Sequence, residues 1–244
     1  MTTLAMQSTQ SEFRSEPRRW QTSILARIVR RAGRRWVIAR HVEAFCQPMT
    51  VAGTQHFDSV RGPAIIIANH SSHFDTPVVL SVLPERVRRK TAVGAAADRF
   101  YRRGKRTWWY SLFFNTFPIV RGGGSATLDY ARELLGRGWS VVIFPEGTRS
   151  TSGGVQQFRH GVAILAMQAK VPVVPIFTDG LRNVMPKGER TPRAAAVSVR
   201  VGAPVWLDDL SSVPDATHRL QTALLSLGGI SSPPQHADEF ASAA

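Results

Sequence analysis

The chain has one cysteine, Cys46, among 244 residues. A lone thiol excludes an internal disulfide framework and any metal site built from several cysteines, and the expected place for Cys46 is a small apolar position in the core. There is no apolar run of about 18 residues, the length a membrane-crossing helix needs, and no signal-peptide core near the start. The expectation is therefore a protein that neither spans a bilayer nor is exported by that route. Acidic residues are scarce: 17 Asp and Glu stand against 31 Lys and Arg, for a formal net charge of +14 and a pI near 11.4. Such a balance calls for an anionic partner, whether nucleic acid, a membrane surface or an acidic substrate. No internal repeat is visible, and 43% hydrophobic residues over this length suffice for one α/β domain plus an appendage.

Against these absences stands one organised stretch, Ile65-Ile66-Ile67-Ala68-Asn69-His70-Ser71-Ser72-His73-Phe74-Asp75-Thr76-Pro77. A short, wholly apolar, β-branched run bounded by turn formers reads as a strand covered on both faces. In open α/β sheets, ligands sit beyond the carboxyl ends of such strands. Pro77 suits the first position of a following helix, with Asp75 or Thr76 as its cap. His70 then falls in a strand-to-helix loop, where Asp75 can fold back onto an imidazole nitrogen. A His held by a carboxylate is the general-base half of a triad. As metal ligands His70, His73 and Asp75 lack a supporting His or Cys cluster. Ser71 and Ser72 lack the G-x-S-x-G elbow of an acyl-enzyme nucleophile.

His70-x4-Asp75 resembles the first signature of the glycerolipid acyltransferases, the family that acylates glycerol 3-phosphate, lysophosphatidic acid and related lysophospholipids. Phe144-Pro145-Glu146-Gly147-Thr148-Arg149-Ser150 matches that family's F-P-E-G-T-R-S signature residue for residue. Phe117-Pro118-Ile119-Val120-Arg121 is similar to its intermediate block and Val171-Pro172-Val173-Val174-Pro175-Ile176 to its final one, so four blocks occur in order over roughly residues 64 to 177. Phe158-Arg159-His160-Gly161 resembles the family's F-K-x-G segment, with Arg in place of Lys.

The resemblance implies an α/β fold, a mostly parallel sheet flanked by helices, and an acyl transfer in which His70 is the base and Asp75 orients it. It implies that Arg121 contacts the acceptor phosphate, that Glu146 shapes the acceptor site, and that Gly147, Thr148 and Arg149 receive the phosphate or glycerol backbone. No metal or cofactor is expected beyond acyl-CoA or acyl carrier protein as co-substrate. The acceptor implied is lysophosphatidic acid, giving phosphatidic acid. Another lysophospholipid, glycerol 3-phosphate or a glycolipid is the alternative.

Along the chain, residues 1–17 are polar and read as disordered. Residues 18–47 form a basic amphipathic helical segment, as one helix or as two broken near Gly33. Trp20, Ile24, Leu25, Ile28, Val29, Ala32 and Trp36 recur at helical spacing, while Arg19, Arg27, Arg30 and Arg34 fall on another side. Such a helix suits an anionic membrane interface, and the plainer reading packs its apolar face on the domain. Residues 48–230 form the acyltransferase domain and 231–244 a flexible tail.

Within the domain, residues 86–106 hold nine Lys or Arg and only Asp98, a solvated basic face or a second phosphate or membrane contact. The aromatics Phe100, Tyr101, Trp108, Trp109, Tyr110, Phe113, Phe114 and Phe117 are core, acyl-chain groove or membrane edge. Gly122-Gly123-Gly124, after a strand and before a helix beginning past Ser125, suits a phosphate. Further strands are read at 140–144, 171–177 and 196–201, with a helix to about Lys170. The expected location is cytoplasmic, peripheral on the inner face of the cell membrane. A non-catalytic basic protein binding membrane or nucleic acid is the distant alternative, in which the four ordered blocks have no reason to exist, so no nucleic-acid partner is expected.

Overall fold

The computed structural model describes residues 19–101, 111–120 and 126–230. The expectations for residues 1–17 and 231–244, for Trp108, Trp109 and Tyr110, and for Arg121 with its three following glycines lie outside these described residues.

Seven strands form one sheet: β1 (Cys46–Ala52), β2 (Ile65–Ala68), β3 (Thr91–Ala96), β4 (Thr116–Ile119), β5 (Ser140–Ile143), β6 (Val173–Asp179) and β7 (Ala195–Val201). Their order is β1-β7-β6-β2-β5-β3-β4. The five strands from β6 to β4 are parallel, β7 runs antiparallel to β6, and β1 lies parallel to β7 at the edge. Around the sheet stand α1 (Ile24–Gly33), α2 (Ala39–Phe45), α3 (Asp75–Val82), α4 (Glu85–Arg88), α5 (Ala97–Phe100), α6 (Ala126–Gly136), α7 (Gly161–Ala169), α8 (Leu181–Val184) and α9 (Val213–Leu227). The fold is thus α/β, with a mostly parallel sheet flanked by helices.

The period-2 alternation of a strand splits the core in two. Ile66, Ala68, Val142, Val174 and Ile176 face α2 and α3. Ile65, Ile67, Val141, Ile143 and Val173 face α6, α7 and α9. All four residues of β2 are fully buried because both faces of that central strand are covered.

Several expectations are corrected. The helical run ends at Phe45, and Cys46 and Gln47 open β1, where a mere connection is expected; Pro48 is tolerated because β1 is an edge strand. No break occurs at Gly33: the backbone continues into a π-helical turn, Arg34–Ile38, and glycine is required because a Cβ there would overlap the Phe113 ring. The basic run 86–106 contains the buried strand β3, whose Thr-Ala-Val-Gly-Ala-Ala carries little β-branched signal; a Cβ on Gly94 would overlap Ile119 of β4. Helix α9 is an element that the motifs do not announce. Ser212 caps it, accepting from Asp215 N at 3.4 Å, and Ala216, Leu220 and Leu224 form its buried stripe.

The plainer reading of the basic segment, with its apolar face packed on the domain, does not hold for α1. Its apolar residues Ile24, Leu25 and Ile28 are 74, 72 and 61% exposed, whereas Arg30 and Arg34 are 3 and 9% exposed. The two arginines lie one helical turn apart and reach the carbonyl end of the helical residues 111–114. Arg30 Nε donates to Leu112 O at 2.7 Å and its Nη2 to Gln21 O at 2.9 Å. Arg34 donates to Phe113 O at 2.9 Å, to Phe114 O at 3.4 Å and to Arg88 O at 2.9 Å. Carbonyls at a helix C-terminus have no intrahelical partner and carry partial negative charge, so cationic donors are well placed there. Burial pulls the pKa down to about 10 for Arg30 and about 9 for Arg34, helped by neighbouring arginines, and both stay charged at neutral pH.

Candidate active site

Strands β2 and β5 are adjacent and in register, Ile67 opposite Ile143, so the loops leaving their carboxyl ends meet. The first loop is pinned at its root by Asn69. Its amide donates to Thr178 O on β6 at 2.8 Å, and its oxygen accepts from Thr178 N at 2.8 Å. His70 follows this fixed point.

Asp75 is fully buried. Its Oδ2 accepts from His70 Nδ1 at 2.7 Å, Ser71 N at 2.7 Å and Ser72 N at 2.8 Å. The side chain therefore does not cap α3 as expected; Phe74 holds the cap position without a side-chain bond, and Asp75 is the first helical residue. A loop of four residues lets the carboxylate turn back on the segment it has just left, so that three N–H donors converge on one oxygen. With a carboxylate at Nδ1, the neutral imidazole carries its proton there and leaves Nε2 as the lone-pair nitrogen. The His70 side chain is 22% exposed, and its ring stacks on Phe144, with centroids 4.3 Å apart.

The second loop holds the first. Glu146 Oε1 accepts from His70 N at 2.6 Å and Oε2 from Gln156 N at 2.9 Å, while Ser150 N donates to His70 O at 2.8 Å. Both backbone polar groups of His70 are thereby taken up by the 144–150 motif. Burial pushes the Glu146 carboxyl up to about 7; the two N–H donors oppose that rise and the charge of Asp75 adds to it. Gly147 sits at φ 71°, a left-handed conformation that favours glycine, and a Cβ there would lie 2.6 Å from Arg159 Nε and displace that side chain. Arg149 is buried, and its carbonyl accepts from Lys187 Nζ at 3.3 Å. Thr148 is half-buried.

The structure thus gathers His70, Asp75, Glu146, Gly147, Thr148 and Arg149 on two adjoining loops, while Arg121 lies outside the described residues. Sequence reasoning misses the Ser71 and Ser72 backbone donors, the Asn69–Thr178 clasp, the ring contact of Phe144 and the approach of Lys187. Phe144 is visible in the motif although its contact is not; Lys187 follows no pattern and gives no signal. Among the described residues no group of three or more His, Cys, Asp or Glu is placed to hold a metal ion.

A carboxylate-oriented imidazole at the carboxyl ends of central parallel strands defines an α/β protein equipped for proton abstraction. The family model described as Acyltransferase matches residues 48–179, more than half of the chain. The chain belongs to the acyltransferase family. It is 30% identical over 172 residues to a 1-acyl-sn-glycerol-3-phosphate acyltransferase of Cocos nucifera, covering 66% of this chain and 51% of that protein. It is 29% identical over 182 residues to the human 1-acyl-sn-glycerol-3-phosphate acyltransferase alpha, covering 72% of this chain and 62% of that one. The chain thus spans between half and two thirds of the length of these relatives. The fold is shared with the crystal structure of the 1-acyl-sn-glycerophosphate acyltransferase PlsC from Thermotoga maritima, at a TM-score of 0.61 and 24% identity over 83% of this chain and 84% of that one.

Proposed function

We propose that this protein is an O-acyltransferase that moves a fatty acyl group from an acyl thioester, acyl-CoA or acyl carrier protein, to the free hydroxyl of lysophosphatidic acid, giving phosphatidic acid. The observation that carries the reading is the 2.7 Å contact of His70 Nδ1 with the buried Asp75 carboxylate, which leaves Nε2 as the nitrogen that can take a hydroxyl proton. As the acceptor oxygen attacks the thioester carbonyl carbon, its proton passes to Nε2 and Asp75 stabilises the imidazolium. When the tetrahedral intermediate collapses, the C–S bond breaks and the departing sulfur takes that proton, leaving as the thiol. A positioned base of this kind contributes about 10² to 10⁴ in rate.

Arg149, Gly147 and Thr148, with Arg121, are the proposed contacts for the acceptor's phosphate and glycerol backbone, and Glu146 sets their loop against His70. The similarity to 1-acyl-sn-glycerol-3-phosphate acyltransferases favours lysophosphatidic acid as acceptor. No metal and no cofactor enters the proposed reaction.

The proposed setting is the cytoplasmic face of the cell membrane, held peripherally. No helix among the described residues is long and apolar enough to cross a membrane. The outward strip of Ile24, Leu25, Ile28, Val29 and Trp36 suits an interface, and cations beside it are each worth roughly 1 kcal/mol at an anionic leaflet. Nucleic acid would leave that strip uncovered and is not proposed as a partner.

The test is transfer of labelled acyl groups from acyl-CoA and from acyl carrier protein to a panel of acceptors in vesicles, comparing wild type with His70→Ala. Transfer to lysophosphatidic acid that vanishes in the variant is the expected result. Transfer only to another lysophospholipid, glycerol 3-phosphate or a glycolipid would overturn the acceptor, and activity surviving in His70→Ala would overturn the base.

A further inference from the structure

A groove of about 910 Å³ runs between α1–α2, the last turn of α3, α4 and β1. It falls in the size range of small-molecule sites. None of its lining residues comes from the loops after β2 and β5. The contribution of α3 is Leu80, Ser81 and Val82, five to seven residues beyond Asp75 and so about 8–10 Å down the helix. Its floor is apolar, with the half-buried Met49 and Val82 backed by the buried Ile38, Val42 and Leu80, and its mouth opens beside the exposed Ile24, Ile28 and Val51.

The polar lining is one-sided: six arginines against the two acids Glu43 and Glu85. Arg30 and Arg34 are spent on backbone carbonyls. Three others surround one carboxylate. Arg88 bonds Glu85 at 2.7 Å, Arg31 approaches it at 3.6 Å, and Arg89 adds to the positive field that Glu85 experiences. An apolar channel with uncompensated guanidinium charge at its rim fits a ligand with an alkyl chain and an anionic head.

We propose that this groove is a binding site for an anionic phospholipid, one acyl chain lying along Met49, Val51 and Val82 and the phosphate meeting Arg31 and Arg89. This lipid is bound in addition to the reacting lipids, and it docks the outward strip of α1 to a negatively charged leaflet. The inference deepens the membrane contact proposed above and rests on it.

The test is native mass spectrometry of the full chain in detergent, titrated separately with phosphatidylglycerol, phosphatidylcholine and inorganic phosphate. One phosphatidylglycerol retained per chain, at least tenfold more tightly than phosphatidylcholine, is expected. Arg31→Ser with Arg89→Ser should lose that preference, and Val82→Trp, which fills the groove, should lose the lipid. Equal retention of both lipids, or phosphatidylglycerol binding unchanged in the folded Val82→Trp variant, would overturn the site. Inorganic phosphate displacing the lipid at matched concentration would reduce it to an anion site and overturn the chain-binding part. Because Arg31, Val82 and Arg89 lie outside the transfer machinery, loss of lipid with acyl transfer in detergent retained refers to the groove alone. Lipid bound by a protein that transfers no acyl group would remove the enzymatic reading and leave the groove standing.

Discussion

Replacing Asp75 by Asn isolates the charge that the mechanism assigns to this residue. The three donors to Oδ2, His70 Nδ1 and the Ser71 and Ser72 amides, can still meet the Asn carbonyl oxygen. The new NH2 group must then take the place of Oδ1, which is buried and has no hydrogen-bond partner. A buried donor left unmet costs about 1–3 kcal/mol of stability. On catalysis the effect is larger, because the imidazolium formed during attack loses its counter-charge at 2.7 Å. The contribution at stake is that of the general base, about 10² to 10⁴ in kcat, or roughly 3–5 kcal/mol of barrier. Steady-state kinetics on lysophosphatidic acid and acyl-CoA, run beside thermal unfolding, should show kcat reduced by that factor, KM for both substrates within a few-fold, and a folded protein. The double variant His70→Ala, Asp75→Asn should be no slower than His70→Ala alone, since the two residues act as a unit. A folded Asp75→Asn protein with kcat within tenfold of wild type would refute the assignment of Asp75 to the developing cation.

Three further outcomes are expected. For Glu146, the folded carboxyl titrates at about 7 and the unfolded one at its ordinary 4.5, so its contribution to stability is fully present below about pH 4.5 and lost as pH rises through 7. That loss amounts to about 3 kcal/mol; urea unfolding at pH 5 and pH 8 should show it in wild type and not in Glu146→Gln, and equal pH slopes would refute it. Arg34→Met strands the carbonyls of Phe113, Phe114 and Arg88 and should cost about 2–4 kcal/mol in chemical denaturation. Arg31→Met, an exposed control, should stay within about 0.5 kcal/mol, and equal effects would remove the clasp. Ile24→Ser with Ile28→Ser, on the outward face of α1, should weaken co-sedimentation with anionic vesicles by about tenfold or more without lowering Tm; unchanged sedimentation would remove α1 from the membrane contact.

The centre of the fold and both site loops were legible in the sequence because each combines an apolar run with a fixed polar pattern at its end. The stretch 65–77 announces a strand, its exit loop and a helix start through chemistry that few other arrangements tolerate. Legibility fails where the signal is tertiary. Strand β3 is built of Thr-Ala-Val-Gly-Ala-Ala, small because Ile119 and Phe117 press against Gly94, and no local propensity reveals that pressure. The cap reading of Asp75 fails for a related reason: an Asp beside a helix start is a common cap, and only the positions of the Ser71 and Ser72 amides show that its oxygen turns to the loop instead. Lys187 reaches the Arg149 carbonyl from a segment that carries no motif at all.

Helix α1 shows most clearly what periodicity leaves open. A helical wheel separates two faces of residues 24–34 but does not say which of them turns inward, since that depends on what the neighbouring element offers. Here the neighbour offers the carbonyl end of residues 111–114, a polar surface that guanidinium groups satisfy and apolar side chains cannot. Arg30 and Arg34 therefore go in, and Ile24, Leu25 and Ile28 are left outside with no described residue covering them. The consequence is a division of labour along one helix. Its polar contacts fix it to the body of the protein, and its apolar contacts remain available for a partner. Substitutions at Arg34 should then move stability and substitutions at Ile24 should move adsorption, so that fold and membrane contact separate by mutation of residues ten positions apart on one continuous helical run.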